Sequence, residues 1–328
     1  MISIETLHTW ACECGFSDIR LCAPDGFEHA KEIVDHQPTL SERHQLRFFP
    51  KEDHSWIQSL AVLLWPYLPP TDTGAENNLF VDSYYEASNA AYHAARELET
   101  RLIQAGHLAK ANVSYPAKET ALRAGLGVIG KNSLLITPEY GSRVVIILMA
   151  TDLPVPIYQK QHASQTSCAS CLDCGRCAKA CPAGAIDERG MSHPEKCLRN
   201  FMLEGVVIPE HLRKKIGMRM IGCDICQRVC PMQPQFSRHL AKSPYLLRHF
   251  ITEDAAQFSS SVSNLADEIG RNAARPQRIR AQAALLAGNS GNPAYLPVLR
   301  LWSDSSFEAV REHALWAISQ IELADSDT

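Results

Sequence analysis

Cys171-Leu172-Asp173-Cys174-Gly175-Arg176-Cys177-Ala178-Lys179-Ala180-Cys181-Pro182 decides what kind of fold this chain has. Three cysteines two residues apart wrap one iron–sulfur cubane, and the fourth, ahead of proline, turns away to ligate a second. A second cluster needs a mirror set. Cys223-x2-Cys226-x3-Cys230-Pro231 supplies three of its members, and Cys197 upstream supplies the fourth. The spacing predicts two [4Fe–4S] clusters: one on Cys171, Cys174, Cys177 and Cys230, the other on Cys181, Cys197, Cys223 and Cys226. Structural zinc sites also use C-x2-C spacing, but the Cys-Pro ending, present twice, argues against zinc. Cys168 is in phase with the run and is either a spare thiol or an alternative ligand. Cys12, Cys14 and Cys22 read as small buried apolar residues.

Around this run, Cys168 to Pro234 has little apolar periodicity. That fits a ferredoxin-like domain held by its metal and not by a core. The cysteines are concentrated there: nine of twelve lie between Cys168 and Cys230. The 328 residues predict two or three domains, at about 150 residues each. Hydrophobic residues at 45% and charged residues at 21% exclude a largely disordered chain. A net charge of −4 excludes a generally basic nucleic-acid coat but leaves room for a local basic patch. The N-terminus shows no basic segment followed by an apolar one. The apolar runs Leu60–Trp65 and Val144–Ala150 are far short of the ~20 residues of a membrane span and read as buried strands. We expect a cytoplasmic monomer off the membrane, where a reducing environment makes clustered cysteines metal ligands.

Residues 1–157 form the first expected domain. Ser3–Gly15 and Ser83–Gly106 have helical periodicity, each closed by glycine. Ser59–Tyr67 and Arg143–Thr151 are Val-, Ile- and Leu-rich, as buried strands are. The mixture predicts an α/β domain, with a linker over Gln159–Ser167. The cluster domain is expected over 158–242. A third, helical domain is expected over 243–328, with helices at Ala281–Ala287, Pro297–Leu301 and Phe307–Ile321. Gly288-Asn289-Ser290-Gly291-Asn292-Pro293 reads as the turn between the first two. Antiparallel helices joined this way match one HEAT-type unit, too small to stand alone.

Ala124-Gly125-Leu126-Gly127-Val128-Ile129-Gly130-Lys131-Asn132-Ser133 carries three glycines in six residues. Such density lets backbone approach a ligand closely. A helix precedes it and a strand follows, so it is not a dinucleotide fingerprint. A helix cap running into a turn is the simpler reading.

This segment, Gly141-Ser142, the Cys171–Pro182 run, Gly222-Cys223-Asp224-x-Cys226-Gln227-x-x-Cys230-Pro231 and Val310-Arg311-x-His313-Ala314-x-Trp316-Ala317 together resemble the epoxyqueuosine reductase family. The resemblance runs through nearly the whole chain. It implies a nitroreductase-like α/β domain binding cobalamin, with Gly125, Gly127, Gly130, Lys131, Asn132 and Ser142 as cofactor contacts. The two clusters would reduce that cobalamin to its Co(I) form. The implied reaction is reduction of the epoxide of epoxyqueuosine in tRNA to queuosine. The whole fold would then be α+β: the α/β domain, the ferredoxin-like domain and the HEAT-like repeat.

One departure bears on chemistry. The family carries an Asp-x-Ala-Pro run ahead of the glycine segment, whose aspartate is thought to donate a proton. Here the stretch is Asn112-Val113-Ser114-Tyr115-Pro116-Ala117-Lys118-Glu119, with no aspartate before proline. The nearest ionisable groups are Tyr115, Lys118 and Glu119, with His93 more distant. A tyrosine beside a cation resembles the choice of cobalamin reductases that remove halide. Three functions follow: the tRNA reductase, a paralogous reductase acting on a small molecule by reductive elimination, or an electron-transfer protein needing an external donor. Arg271, Arg275, Arg278 and Arg280, with no acidic residue among them, favour tRNA as partner. A solvated helix face is the alternative for those arginines.

Overall fold

The computed structural model describes residues 2–36, 46–69, 78–155, 171–172, 174–187, 193–234 and 245–326. Packing divides the chain into two units. One comprises Met1–Tyr67, Ala87–Cys174 and Pro231–Pro234; the other comprises Leu68–Glu86, Gly175–Cys230 and Gln235–Thr328. The expected linker and Cys168 lie outside the described residues.

The first unit is built on a four-stranded antiparallel sheet, ordered Asp18–Cys22, Ser59–Pro66, Val144–Thr151, Ala109–Ala111. Ser59–Leu64 is buried at every position, which is why it reads as an unbroken apolar run and not an alternating one. Ile4–Glu13 is a helix opened by Ser3, whose Oγ accepts from the Thr6 amide at 3.1 Å. Phe27, Ile57, Leu60, Leu148 and Tyr115 share the core on one side of the sheet. A small hairpin pairs Val128–Ile129 with Leu135–Ile136.

In the second unit a three-stranded sheet places Asn78–Val81 between Arg219–Ile221, parallel, and Tyr245–Leu246, antiparallel. The helices Ala255–Ile269, Pro276–Ser290, Leu296–Trp302 and Glu308–Ser326 follow. Leu198, Met202, Ile208 and Met220 from the cysteine-rich stretch join Leu265, Ile279, Leu285, Leu299 and Val310 in one hydrophobic core. Residues on both sides of the expected boundary at 242–243 thus share one core.

The expected turn at Gly288 is also corrected. The helix continues to Ser290 and ends on Gly291, whose φ is +65°. Gly288 is buried in that helix, where a Cβ would stand 2.7 Å from the Ala317 Cα. Its missing side chain lets two helices approach closely. Asn289 is no turn residue either: its Nδ2 donates to the Arg213 and Gly217 carbonyls at 2.9 and 2.8 Å. His313, buried in the facing helix, accepts from the Ile208 amide at Nε2, 3.0 Å, and so donates from Nδ1 to the Ala281 carbonyl at 2.9 Å. Burial, first of all, drops its pKa to about 4, so the ring is neutral.

Candidate functional site

The cysteines are placed by short helices that end where the ligands begin. Arg176–Ala180 stops at Cys181, which is extended at φ −68°, ψ 111° and leads into Pro182. Its sulfur accepts from the Ala185 amide at 3.2 Å. Cys197 is the extended residue just ahead of the helix Leu198–Glu204. Cys223 and Cys226 flank the start of Ile225–Arg228, and the Cys223 sulfur takes the Ile225 amide. Cys181, Cys197 and Cys223 all act electrostatically on the Cys226 thiol, as does Cys177. The spacing assigns Cys181, Cys197, Cys223 and Cys226 to one cluster and Cys177 to the other. Burial pushes the Cys223 thiol up to about 11 and Cys226 higher still. To act as thiolate ligands they would need a cationic partner, which the iron of a cluster would supply. Among the described residues no three His, Cys, Asp or Glu side chains converge on one ion. Cys171, Cys177 and Cys230 are half-buried and Cys174 is exposed.

The residues around these ligands have structural reasons of their own. Gly222 has φ +85°, and a Cβ there would meet the Asp82 Cβ at 2.4 Å. Asp224 is fully buried, and both its oxygens accept from Arg228 Nε, at 2.8 and 2.9 Å. Arg228 in turn lies over the Phe80 ring, 5.2 Å from its centroid. Arg199 stacks on Tyr84 at 4.6 Å and donates to the Tyr85 hydroxyl at 3.0 Å.

In the first unit the glycine segment forms the entry to the small hairpin. Gly125, at φ +69°, ends the helix Ala117–Arg123. A Cβ on Gly127 would stand 2.3 Å from the Ile136 carbonyl oxygen, and one on Gly130 would stand 2.6 Å from Ile136 Cδ1. Backbone conformation accounts for Gly125 and packing for Gly127 and Gly130, in line with the helix cap and turn that the segment suggests. The polar residues are different. Asn132 is buried, its Oδ1 accepts from the Leu134 amide at 3.3 Å, and its Nδ2 has no partner among the described residues. Buried Ser142 accepts from Gln233 Nε2 at 2.6 Å, while Gln233 Oε1 is buried without a partner among the described residues. These amides suit a ligand rich in amide groups, as cobalamin is. Lys131 is half-buried. Gln233 was missed by sequence reasoning: 91 residues separate it from Ser142.

The expected proton donors are all engaged. The Tyr115 hydroxyl donates to Asp53 Oδ2 at 2.8 Å, and Arg47 Nη1 holds Asp53 Oδ1 at 3.2 Å. The buried ring stacks on Phe27, with centroids 6.3 Å apart. Burial and the Asp53 carboxylate raise the phenol's pKa, so it keeps its proton at neutral pH. Lys118 Nζ donates to the Ser133 carbonyl at 2.6 Å. Glu119 pairs with Arg123 at 2.5 Å; Arg123 also donates to the Gly26 carbonyl and covers the Phe27 face. Asp53, 62 residues from its partner, had no signal in the sequence. The Tyr92 and His93 rings stack edge to face, 5.4 Å apart.

The four arginines have different surroundings. Arg271 and Arg275 are exposed. Arg278 Nη1 donates to the Asn272 carbonyl at 2.7 Å. Arg280 lies over Phe258 and Trp302.

These features define an iron–sulfur protein of the two-cluster class, and the 4Fe–4S double cluster binding domain model matches residues 170–233. The chain belongs to the epoxyqueuosine reductase family. A relative from Listeria monocytogenes is 30% identical over 274 residues, 74% of this chain and 69% of that one. One from Shewanella oneidensis is 27% identical across 98% of this chain and 89% of the relative. The match to the Bacillus subtilis relative, 36% identical, spans only 38% of this chain and 30% of that protein's length. The fold matches that of a solved epoxyqueuosine reductase bound to an epoxyqueuosine-modified tRNA stem loop, with a TM-score of 0.78 at 24% identity, over 97% of this chain and 89% of the other.

Proposed function

We propose that this chain reduces the epoxide of epoxyqueuosine in tRNA to an alkene, with two electrons and two protons consumed and water released. The observation that carries the reading is the double-cluster cysteine pattern over residues 170–233 in a chain of this family. Cys171, Cys174, Cys177 and Cys230 take the other cluster. Two clusters held by these cysteines would supply single-electron transfer from an external reductant. Cobalamin, when bound, supplies a low-potential metal centre that passes electrons to the substrate. Asn132, Ser142 and Gln233 would hold it through their amide and hydroxyl groups, with Lys131 beside them. The glycines Gly125, Gly127 and Gly130 act by letting the hairpin close behind these residues.

For the departing oxygen we assign Tyr115 as the proton source, its hydroxyl hydrogen turning from Asp53 to the substrate once that is bound. Its raised pKa keeps it protonated until a stronger base develops, and Asp53 with Arg47 orients it. Lys118 and Glu119 position the loop by their bonds to Ser133 and Arg123. The C-terminal helices are read as HEAT-like and the first unit as nitroreductase-like. Exposed Arg271 and Arg275 meet tRNA phosphates.

The test is conversion of epoxyqueuosine to queuosine in tRNA by the reconstituted protein, given cobalamin and a one-electron reductant. Full cluster and cobalamin loading with no conversion would overturn the reading.

A further inference from the structure

From Gly175 to Ala185 every residue except Arg176 and Lys179 is Gly, Ala, Cys or Pro. The stretch therefore sets no bulky apolar side chain between solvent and Cys177 or Cys181, both of which are half-buried. Gly184, at φ +60°, borders open space: a Cβ there would meet no atom within 4 Å. The two exceptions are both cations. Arg176 and Lys179 are exposed and stand three residues apart on one short helix, so they share a face. Neither makes an ion pair among the described residues.

A third cation arrives from elsewhere in the same unit. Lys215, exposed on the helix Glu210–Ile216, donates from Nζ to the Pro182 carbonyl at 3.1 Å. It thereby stands at the turn that follows Cys181. No acidic residue falls between Cys174 and Ile186. The carboxylates that come next, Asp187 and Glu195, both face His193, at 3.6 and 3.4 Å. Across residues 175–230 Lys and Arg outnumber Asp and Glu by ten to six, in a chain whose net charge is −4.

A cluster on four thiolates is anionic, and buried positive charge would balance it. Exposed charges are screened by water and give such a neighbour little. What they do is act on a charged partner, steering its approach and setting its orientation. An RNA backbone would also be drawn to three cations, but it gains nothing from small side chains over Cys177 and Cys181. A partner that must bring a redox group close to those sulfurs does gain.

We propose that this face, made by Arg176–Ala180, the Pro182 turn and Lys215, docks an acidic one-electron carrier protein. The carrier gives up one electron and a cluster takes it; no bond is made or broken, and two such visits supply the two electrons of the epoxide reduction. The proposal rests on the cluster reading above, which iron and labile sulfide content tests separately in each protein used.

The probe is an acidic plant-type [2Fe–2S] ferredoxin. Its binding is measured by calorimetry across a salt series, for wild type and for Arg176→Glu combined with Lys179→Glu. Rapid-freeze electron paramagnetic resonance, which distinguishes the reduced donor from reduced [4Fe–4S] clusters, follows the electron in parallel. Wild type should bind at low salt and weaken steeply as salt rises. The double variant should bind about tenfold or more weakly at low salt and lose most of the salt dependence. Its clusters should still be reduced quickly by methyl viologen radical, a small molecule that needs no docking. Lys179→Gln, which removes one charge without reversing it, should fall between the two. A wild type that does not bind the ferredoxin, or equal affinities in wild type and double variant, overturns the proposal. Unchanged ferredoxin binding with weaker binding of an anticodon stem loop assigns the face to RNA and overturns it as well.

Discussion

Replacing His313 by Gln removes one titrating group from the second core while leaving an amide to bond with Ile208 and Ala281. In the folded chain the ring is neutral, and burial has lowered its pKa from 6.5 to about 4. An unfolded histidine takes up its proton at about 6.5. Below that pH the unfolded chain holds more protons than the native one, so stability falls as pH falls. The contribution is complete above pH 6.5, lost progressively toward pH 4, and flat below. The whole window is worth about 3 kcal/mol at 1.36 kcal/mol per unit, and the step from pH 7.5 to 5.5 roughly 1.3 kcal/mol. Urea unfolding of wild type and His313→Gln at both pH values gives the difference directly, because cluster chemistry and the other titrating groups are common to both proteins. Wild type should lose roughly 1.3 kcal/mol more than the variant across that step. The variant itself should be less stable at pH 7.5 by about 1–3 kcal/mol, for an imperfectly replaced buried hydrogen-bond pair. Equal pH dependence in the two proteins would show that His313 is not held neutral, and the reasoning from burial would fail.

Cys197→Ser should halve iron and labile sulfide, from about eight of each to about four, because it touches one ligand set; loss from both clusters equally would count against the split. Gly222→Ala combines a left-handed φ with a 2.4 Å approach to Asp82, so it should lower stability by at least about 2 kcal/mol in thermal unfolding; a neutral outcome would refute the geometry. Asn132→Ala and Gln233→Ala should each weaken cob(II)alamin binding, read from its spectrum, with no change in iron content. Tyr115→Phe should slow turnover about 100-fold or more at unchanged cobalamin affinity; a loss under tenfold, with Glu119→Gln inactive, would transfer the proton to the glutamate.

Sequence pattern located the regular elements closely. The helix expected over Ser83–Gly106 runs Ser83–Gln104, and the strand expected over Ser59–Tyr67 runs Ser59–Pro66. Both are long enough for burial to dominate their composition. Gly288-Asn289 misled because glycine serves two ends, a turn or a close helix contact, and only the partner at Ala317 distinguishes them. The same ambiguity covered Gly127, whose constraint is the Ile136 carbonyl across the hairpin. Cysteine spacing was legible since a cluster imposes its own geometry on the chain. The bonds of Tyr115 to Asp53 and of Gln233 to Ser142 were not, since neither pair leaves a local pattern.

The shared core of the second unit also sets an order of events during synthesis. Every cysteine from Cys171 to Cys230 leaves the ribosome before the helices from Ala255 onward. Until those helices arrive, Leu198, Met202, Ile208 and Met220 lack the partners that bury them. The nascent chain thus presents its thiols beside uncovered apolar surface. A chain released early, short of Glu308–Ser326, would keep all eight cysteines from Cys171 to Cys230 and still lack Val310, Ala314, Ala317 and the histidine that closes over Ile208. Such a product is a target for chaperones and proteases, whatever iron it has gathered.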